Sequence, residues 1–308
     1  MNLIKKRVAL LKRNSFLRKY LFPFLKIFLI ILDTSFLLIE QIKFNIIRIF
    51  DKPRIIDCTI FNNEIDLLDL RLDYLKDIVD IFVIVESEIT FTARLKSKFN
   101  AESYLEKLPD KLRNKIRYIK IEEHQIPLDI KDDPWEIEKY VRNSILYGLH
   151  DLKHNDFLWL SDIDEIPKRE NKYKIGKLSM FHLNYKMNFV CPIKWTLAKG
   201  LLGKNIIKNT PQQIRVNGWK YSIPVKNSGW HFSFLMDVDE IIEKVKSFSH
   251  TNLNTKEFTD PFHIQNCIDK GLDLFKREHV TFKKVDDLSF LPQNVKEKIT
   301  YYDRFIAK

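Results

Sequence analysis

The chain has 308 residues, 45% of them hydrophobic and 13% aromatic, with a formal net charge of +11, so burying one large core is no difficulty. Residues 1–54 hold twelve Lys or Arg against three acids and so carry nine of those eleven charges, which excludes a nucleic-acid footprint on the near-neutral remainder. Cys58, Cys191 and Cys267 are odd in number, far apart and without a C-x-x-C pair, which excludes a disulfide scaffold or zinc knuckle and leans towards reduced thiols at a cytoplasmic site.

Residues 1–53 read as a basic, apolar, amphipathic helical segment. Lys5, Lys12, Lys19, Lys26, Asp33 and Glu40 recur every seven residues and so line one slowly drifting stripe of a helix. Pro23 should kink or split that helix near residue 22. The most apolar window, residues 20–39, has 14 Leu, Ile or Phe but also Lys26 and Asp33 near its middle. On an insertion scale these contributions, roughly −4 to −8 against +5 to +7 kcal/mol, nearly cancel. The expectation is a helix of residues 1–50 lying on an anionic membrane surface, on its cytoplasmic face, with a single-pass anchor, or packing on the catalytic domain or a protein partner, as the alternatives.

From residue 54 short apolar runs alternate with helical stretches, giving one globular domain over 54–308. "RIIDCTIF" predicts a strand, "NEIDLLDLRLDYLKDIV" an amphipathic helix, and "DIFVIVES" a buried strand. A helix near 100–112 and a strand "IRYIKI" follow. "DPWEIEKYVRNSILYGLHDL" predicts a helix capped by Asp133 with Pro134 at its first position, and "DFLWL" a further strand. Beyond residue 178 the pattern is more β-like, in "KLSMFHLNYKMNFV" and "NSGWHFSFL", before helices at about 238–249 and 261–271. The alternation predicts an α/β fold with a mainly parallel, Rossmann-like sheet covered by helices on both faces.

In such sheets ligands bind beyond the carboxyl ends of the strands, where Asp57, Glu86 and the cluster Asp162, Asp164 and Glu165 are expected to converge. Carboxylates that close repel one another unless a cation or a solvated turn relieves them. Two aspartates at i and i+2 can grip a hard divalent cation and leave positions for water and phosphate. A solvated acidic turn explains the same spacing, so the motif alone does not decide.

The blocks "IIDCTIFNNEIDLLDLRLDYL", "VDIFVIVESEITFTA", "DDPWEIEKYVRNSILYGL", "FLWLSDIDEIP" and "SGWHFSF" are similar, in this order, to the family 17 glycosyltransferases over about residues 54–280. The resemblance implies a GT-A fold and an inverting, metal-dependent transfer of a sugar, GlcNAc from UDP-GlcNAc, to a glycan or lipid-linked acceptor, with Mn²⁺ or Mg²⁺ as cofactor. It implies that Asp164 chelates the metal, that Asp162 joins it as a ligand or faces the donor's ribose or a metal-bound water, that Glu165 orients these ligands, and that His231 is the third ligand or a phosphate donor. Asp57 and Glu86 would face the donor, Arg142 would pair with its diphosphate, and Asn143 is a weaker donor-binding candidate. Arg142 could instead pair with Glu138 at i−4. The general base is left open, because Asp237, Asp239 and Glu240 equally suit a helix N-terminus. A non-catalytic carbohydrate- or nucleotide-binding module on the same fold is the alternative reading.

Overall fold

The computed structural model describes residues 15–220 and 222–308, the side chains of residues 15–22 excepted. Lys5 and Lys12 of the N-terminal stripe, and the side chain of Lys19, therefore lie outside the described residues. Helix α1 (Ser15–Phe50) runs unbroken through Pro23. The expected break is absent because a proline removes one intrahelical bond, which a long helix with intact turns on both sides can absorb.

The first sheet holds β1 (Ile55–Phe61), β2 (Ile81–Ser87), β3 (Ile116–Ile121), β4 (Phe157–Leu160), β6 (Gly176–Lys177) and β9 (Lys199–Leu202), in the order β3-β2-β1-β4-β9-β6. Its first four strands are parallel, whereas β9 and β6 close the edge antiparallel. A second sheet, β11-β8-β7-β10-β5, is built from β5 (Glu165–Pro167), β7 (Met180–Asn184), β8 (Lys186–Trp195), β10 (Gly229–Ser233) and β11 (Lys283–Lys284). It is antiparallel except for the β7–β10 pair. The fold is α/β, but the expected single, mainly parallel sheet is in fact two mixed sheets. The tight reversal between β7 and β8 leaves no room for the crossover that parallel pairing requires.

Side chains of the parallel strands alternate between two apolar layers with the period of two that a pleated strand imposes. Ile55, Phe61, Phe82, Ile84, Phe157 and Trp159 join one cluster with helix α2 (Ile65–Leu75). Ile56, Cys58, Val83, Val85, Leu158 and Leu160 join the other with helix α5 (Pro134–Asn143). Between α2 and α5 the single predicted helix near 100–112 is two one-turn helices, α3 (Glu102–Leu105) and α4 (Asp110–Arg113), with Pro109 at the break. Asp133 caps α5 through a 2.9 Å bond from the Trp135 amide, as its sequence predicts. Two helices that the sequence reading did not identify, α6 (Gly203–Lys208) and α7 (Pro211–Asn217), follow β9. Helices α8 (Val238–Ser247) and α9 (Pro261–Lys270) occupy the predicted ranges within two residues, and α10 (Gln293–Glu297) packs near α2. All three cysteines are free and buried.

Helix α1 meets this body with Leu37 and Phe44, whose rings and branches are buried among the first cluster. Gln41 donates to the Tyr173 carbonyl at 2.9 Å and accepts from the Ile175 amide at 2.8 Å. Glu40 pairs with Lys204. The polar stripe thus faces the protein where Glu40 and Gln41 lie, and Phe24, Ile27, Ile31, Leu38, Ile46 and Ile49 point outward, each more than half exposed. Among the described residues no helix is long and apolar enough to cross a membrane.

Candidate active site at the junction of the two sheets

The segment Ser161–Asp164 leaves the end of β4 in the first sheet and enters β5 in the second, so the acidic cluster sits where the sheets meet. Its backbone is held by one side chain that the sequence reading did not identify. Arg71 of α2, fully buried, donates from Nη1 to the carbonyls of Asp162, Ile163 and Glu165 at 2.8, 3.3 and 3.0 Å, and from Nη2 to Ser161 Oγ at 2.6 Å. Arg71 was legible in principle, because it shares a helix face with Leu67, Leu68, Leu72 and Leu75, where a guanidinium is costly unless fully paired.

Asp57 is that partner. Its two oxygens accept from Arg71 Nε and Nη2, both at 2.7 Å, and it is 1% exposed in the interior of β1. The expected donor contact at a strand end is therefore replaced by a positioning role. β1 continues four residues past Asp57, which places its side chain under α2 instead of at the rim. Glu86 does lie near the end of β2, but it too is fully buried. It accepts from Lys96, the Asn100 and Ala101 amides and Tyr118, at 2.6, 2.7, 3.0 and 2.7 Å. These bonds organise the loop that follows β2 and leave Glu86 no direct role towards a donor.

Around the acidic loop three cations face three carboxylates. Arg142 reaches Asp162 Oδ1 at 3.0 Å and also makes the alternative pair with Glu138, at 2.7 Å. Arg215, projecting from α7, spans Asp162 Oδ2 at 2.5 Å and Glu165 at 2.8 and 2.9 Å. Its distance in sequence, and the lack of a periodic signal in α7, hid it. Glu165 is further fixed by the Asp162 amide at 2.9 Å and by Trp195 Nε1. Burial alone would push Glu165 up, but Arg215 overcomes it and holds the carboxyl at about 2. For Asp162 burial wins, and its pKa is raised in spite of Arg142 and Arg215. Asn143 points its Oδ1 to the Gln212 amide at 3.1 Å and lines a separate hollow of about 350 Å³ with Tyr140 and Tyr147, none of whose lining belongs to the acidic loop.

Asp164 lies on the other side of the loop. Its Oδ2 is 3.7 Å from His231 Nε2, beyond hydrogen-bond range, and 3.3 Å from Lys244 Nζ. Burial pushes its pKa up, but Lys244 and His231 outweigh that and hold it well below the usual carboxylate range. The position of His231 follows from register: β10 runs between β5 and β7 with His231 opposite Glu165 and His182. Trp195 stacks on His231 at 4.1 Å. His231 Nδ1 is buried with no partner, so the ring is not the hydrogen-bonded core histidine that burial between Trp230 and Phe232 would suggest. Burial, with His231 next in line, drives His182 down to about 3. Among the described residues no three His, Cys, Asp or Glu side chains converge as metal ligands. The expected trio of Asp162, Asp164 and His231 reduces to the pair Asp164–His231, because the two arginines engage both oxygens of Asp162. Asp237 and Glu240 form a reciprocal N-terminal cap on α8, with bonds of 2.9 Å each, which is the role "DVDE" shares with every good helix start.

The sequence profile of glycosyltransferase family 17 matches residues 44–297, and the chain belongs to that family. That family is one of sugar-transferring enzymes, the class in which the sequence resemblance placed the chain. The β-1,4-mannosyl-glycoprotein 4-β-N-acetylglucosaminyltransferases of Rattus norvegicus and Homo sapiens are each 30% identical to it over 121 residues, and that of Mus musculus is 29% identical. The matched stretch is 38% of this chain and spans 22% of the length of each relative.

Proposed function

We propose that the protein transfers GlcNAc from UDP-GlcNAc to a glycan or lipid-linked acceptor, with inversion at the sugar carbon, on a GT-A-type site. The observation that carries this is the Asp164–His231 pair, held at the junction beyond the carboxyl end of parallel strand β4. Asp164 Oδ2 and the His231 Nε2 that faces it at 3.7 Å suit a Mn²⁺ or Mg²⁺ ion that takes its remaining ligands from diphosphate and water, the usual habit of hard cations on phosphate substrates. When bound, such an ion stabilises the charge that grows on a departing nucleoside diphosphate. Asp162 and Glu165 serve as anchors: locked by Arg142 and Arg215, they keep the loop from moving as charge develops nearby. Trp195 bonds Glu165 and stacks on His231, which fixes the imidazole plane. Mn²⁺-dependent hydrolysis of UDP-GlcNAc by the full chain tests the reading. Asp164→Ala should abolish it with the fold intact, and undiminished turnover in that variant would sink the assignment.

The same reading extends to where the enzyme works. Helix α1 turns its apolar face away from the body and carries exposed Lys26, Lys43 and Arg48 beside it. Cationic side chains flanking an outward apolar face suit the boundary of an anionic lipid leaflet better than water. An acceptor at that surface would be a lipid-linked or surface glycan.

A further inference from the structure

Lys244 occupies the oxygen that the proposed metal needs. Its Nζ lies 3.3 Å from Asp164 Oδ2 and 3.1 Å from Glu64 Oε1, and 5.6 Å above the ring of Phe234. Helix α8 does not need this reach to stay in place, because Ile241 and Val245 are fully buried and Asp237 caps it. Glu64, at the start of α2, has its other oxygen on the Asn62 and Asn63 amides at 3.2 and 3.1 Å, so it is a fixed anchor. A small cleft of about 120 Å³ opens beside it, lined by Asn63, Glu64, Leu235, Met236 and Glu240. The buried Oδ1 of Asn63 has no partner.

We propose that Lys244 is a resident stand-in for the metal at Asp164, which a divalent ion must displace towards Glu64 before it can bind. An ammonium and a divalent ion on one carboxylate oxygen repel strongly in a buried site, so the two occupancies exclude each other. Lys244 then does two jobs. It keeps Asp164 neutralised while the site is empty, and it lowers affinity for free metal so that the ion enters together with the donor's diphosphate. Glu64 makes the exchange affordable by holding the released ammonium.

The inference rests on Asp164 and His231 being the metal pair, and the experiment separates the two. Mn²⁺ is titrated into the full chain, with and without UDP, by the loss of the free-ion electron paramagnetic resonance signal. Lys244→Gln should bind Mn²⁺ without UDP more tightly than wild type by roughly 5- to 100-fold, the usual span of coupling between two ligands. Glu64→Gln, which leaves Lys244 only Asp164 to hold, should bind it more weakly. Equal or weaker binding by Lys244→Gln, with wild type binding measurably in UDP, overturns the stand-in role and leaves the metal reading in place. Should Lys244→Gln fail to fold, an unchanged or tighter Glu64→Gln overturns it instead. No binding by any form, with UDP or without, removes the metal reading and this inference together.

Discussion

Arg71 and Asp57 are locked in a two-bond fork, 2.7 Å on each arm, and every remaining N–H of that guanidinium is given to the acidic loop. Asp57 orients the arginine, the arginine shapes the loop, and the loop aims Asp164. Removing one member of a buried pair leaves the other charged and unsolvated. Arg71→Met should therefore cost about 3–5 kcal/mol of stability in urea unfolding. Arg71→Lys should recover little, since one ammonium cannot serve acceptors spread over both Asp57 and the loop. A loss below about 1 kcal/mol for Arg71→Met would show that the fork is dispensable.

Acid stability should track Glu165. Its folded pKa of about 2 lies below the ordinary 4.5, so its contribution is complete above pH 4.5 and is lost as pH falls through about 2. Asp162, raised by burial, acts with the opposite sign. Glu165→Gln should be less stable at neutral pH and show a flatter decline between pH 4.5 and 2, read from urea midpoints across that window. An unchanged acid limb would mean that Arg215 does not hold Glu165 charged.

Lys199 gives a slope on the alkaline side. Buried on β9, where it donates to the Thr196 and Leu197 carbonyls, it is pushed down to about 7, chiefly by burial and then by Arg215. Between pH 7 and 10.5 the unfolded chain holds a proton there that the folded one lacks, so stability should rise with pH across that interval. Lys199→Met should remove the rise. Parallel pH profiles for both proteins would place the charge elsewhere.

Gly229 pairs with Pro167 where β10 runs beside β5. A Cβ there would lie 2.2 Å from the Ile166 carbonyl oxygen, and its φ of +151° is one that side chains rarely adopt. Gly229→Ala should cost about 1–3 kcal/mol from strain alone and more from the clash. Because the same ladder sets His231 opposite Glu165, Mn²⁺-stimulated hydrolysis should fall further than stability does. Full activity at 25 °C in a folded Gly229→Ala protein would argue against the register as the determinant of the site.

For the surface proposal, Phe24, Ile27 and Ile31 are 74%, 56% and 57% exposed, so changing all three to Gln should alter stability little. The triple variant should lose co-flotation with phosphatidylglycerol vesicles while keeping UDP-GlcNAc hydrolysis in solution. Equal flotation of both proteins would refute the lipid-facing role. Deleting residues 1–50 is a poorer test, because it also removes buried Phe44 and the Gln41 bonds.

The strands β1, β2, β3 and β4 and the cap of α5 were readable because each is a local signal: an apolar run, or Asp-Pro before a helix. The acidic loop was readable for the same reason. Its partners were not. Arg71 is 91 residues from Asp162 and Arg215 is 53 away, and neither stands in a pattern that names its target. The roles assigned to Asp57 and Glu86 failed on a related point, since a carboxylate in a strand looks the same in sequence whether it meets a ligand or a buried cation. The strands of the second sheet were readable in part, as the β-like runs beyond residue 178, but their assembly into a separate sheet was not, because β7 turns into β8 at Tyr185, whose positive φ no propensity forecasts.

Phe44 of α1 stacks against Phe157, the first residue of the strand that delivers the acidic loop, while Gln41 ties the same turn to Tyr173 and Ile175. A helix bolted in this way cannot behave as a slack leash. Whatever plane receives its outer flank also fixes the height and tilt of the reaction centre above that plane. The range of glycans within reach then becomes a matter of geometry, decided before any pocket has made a choice.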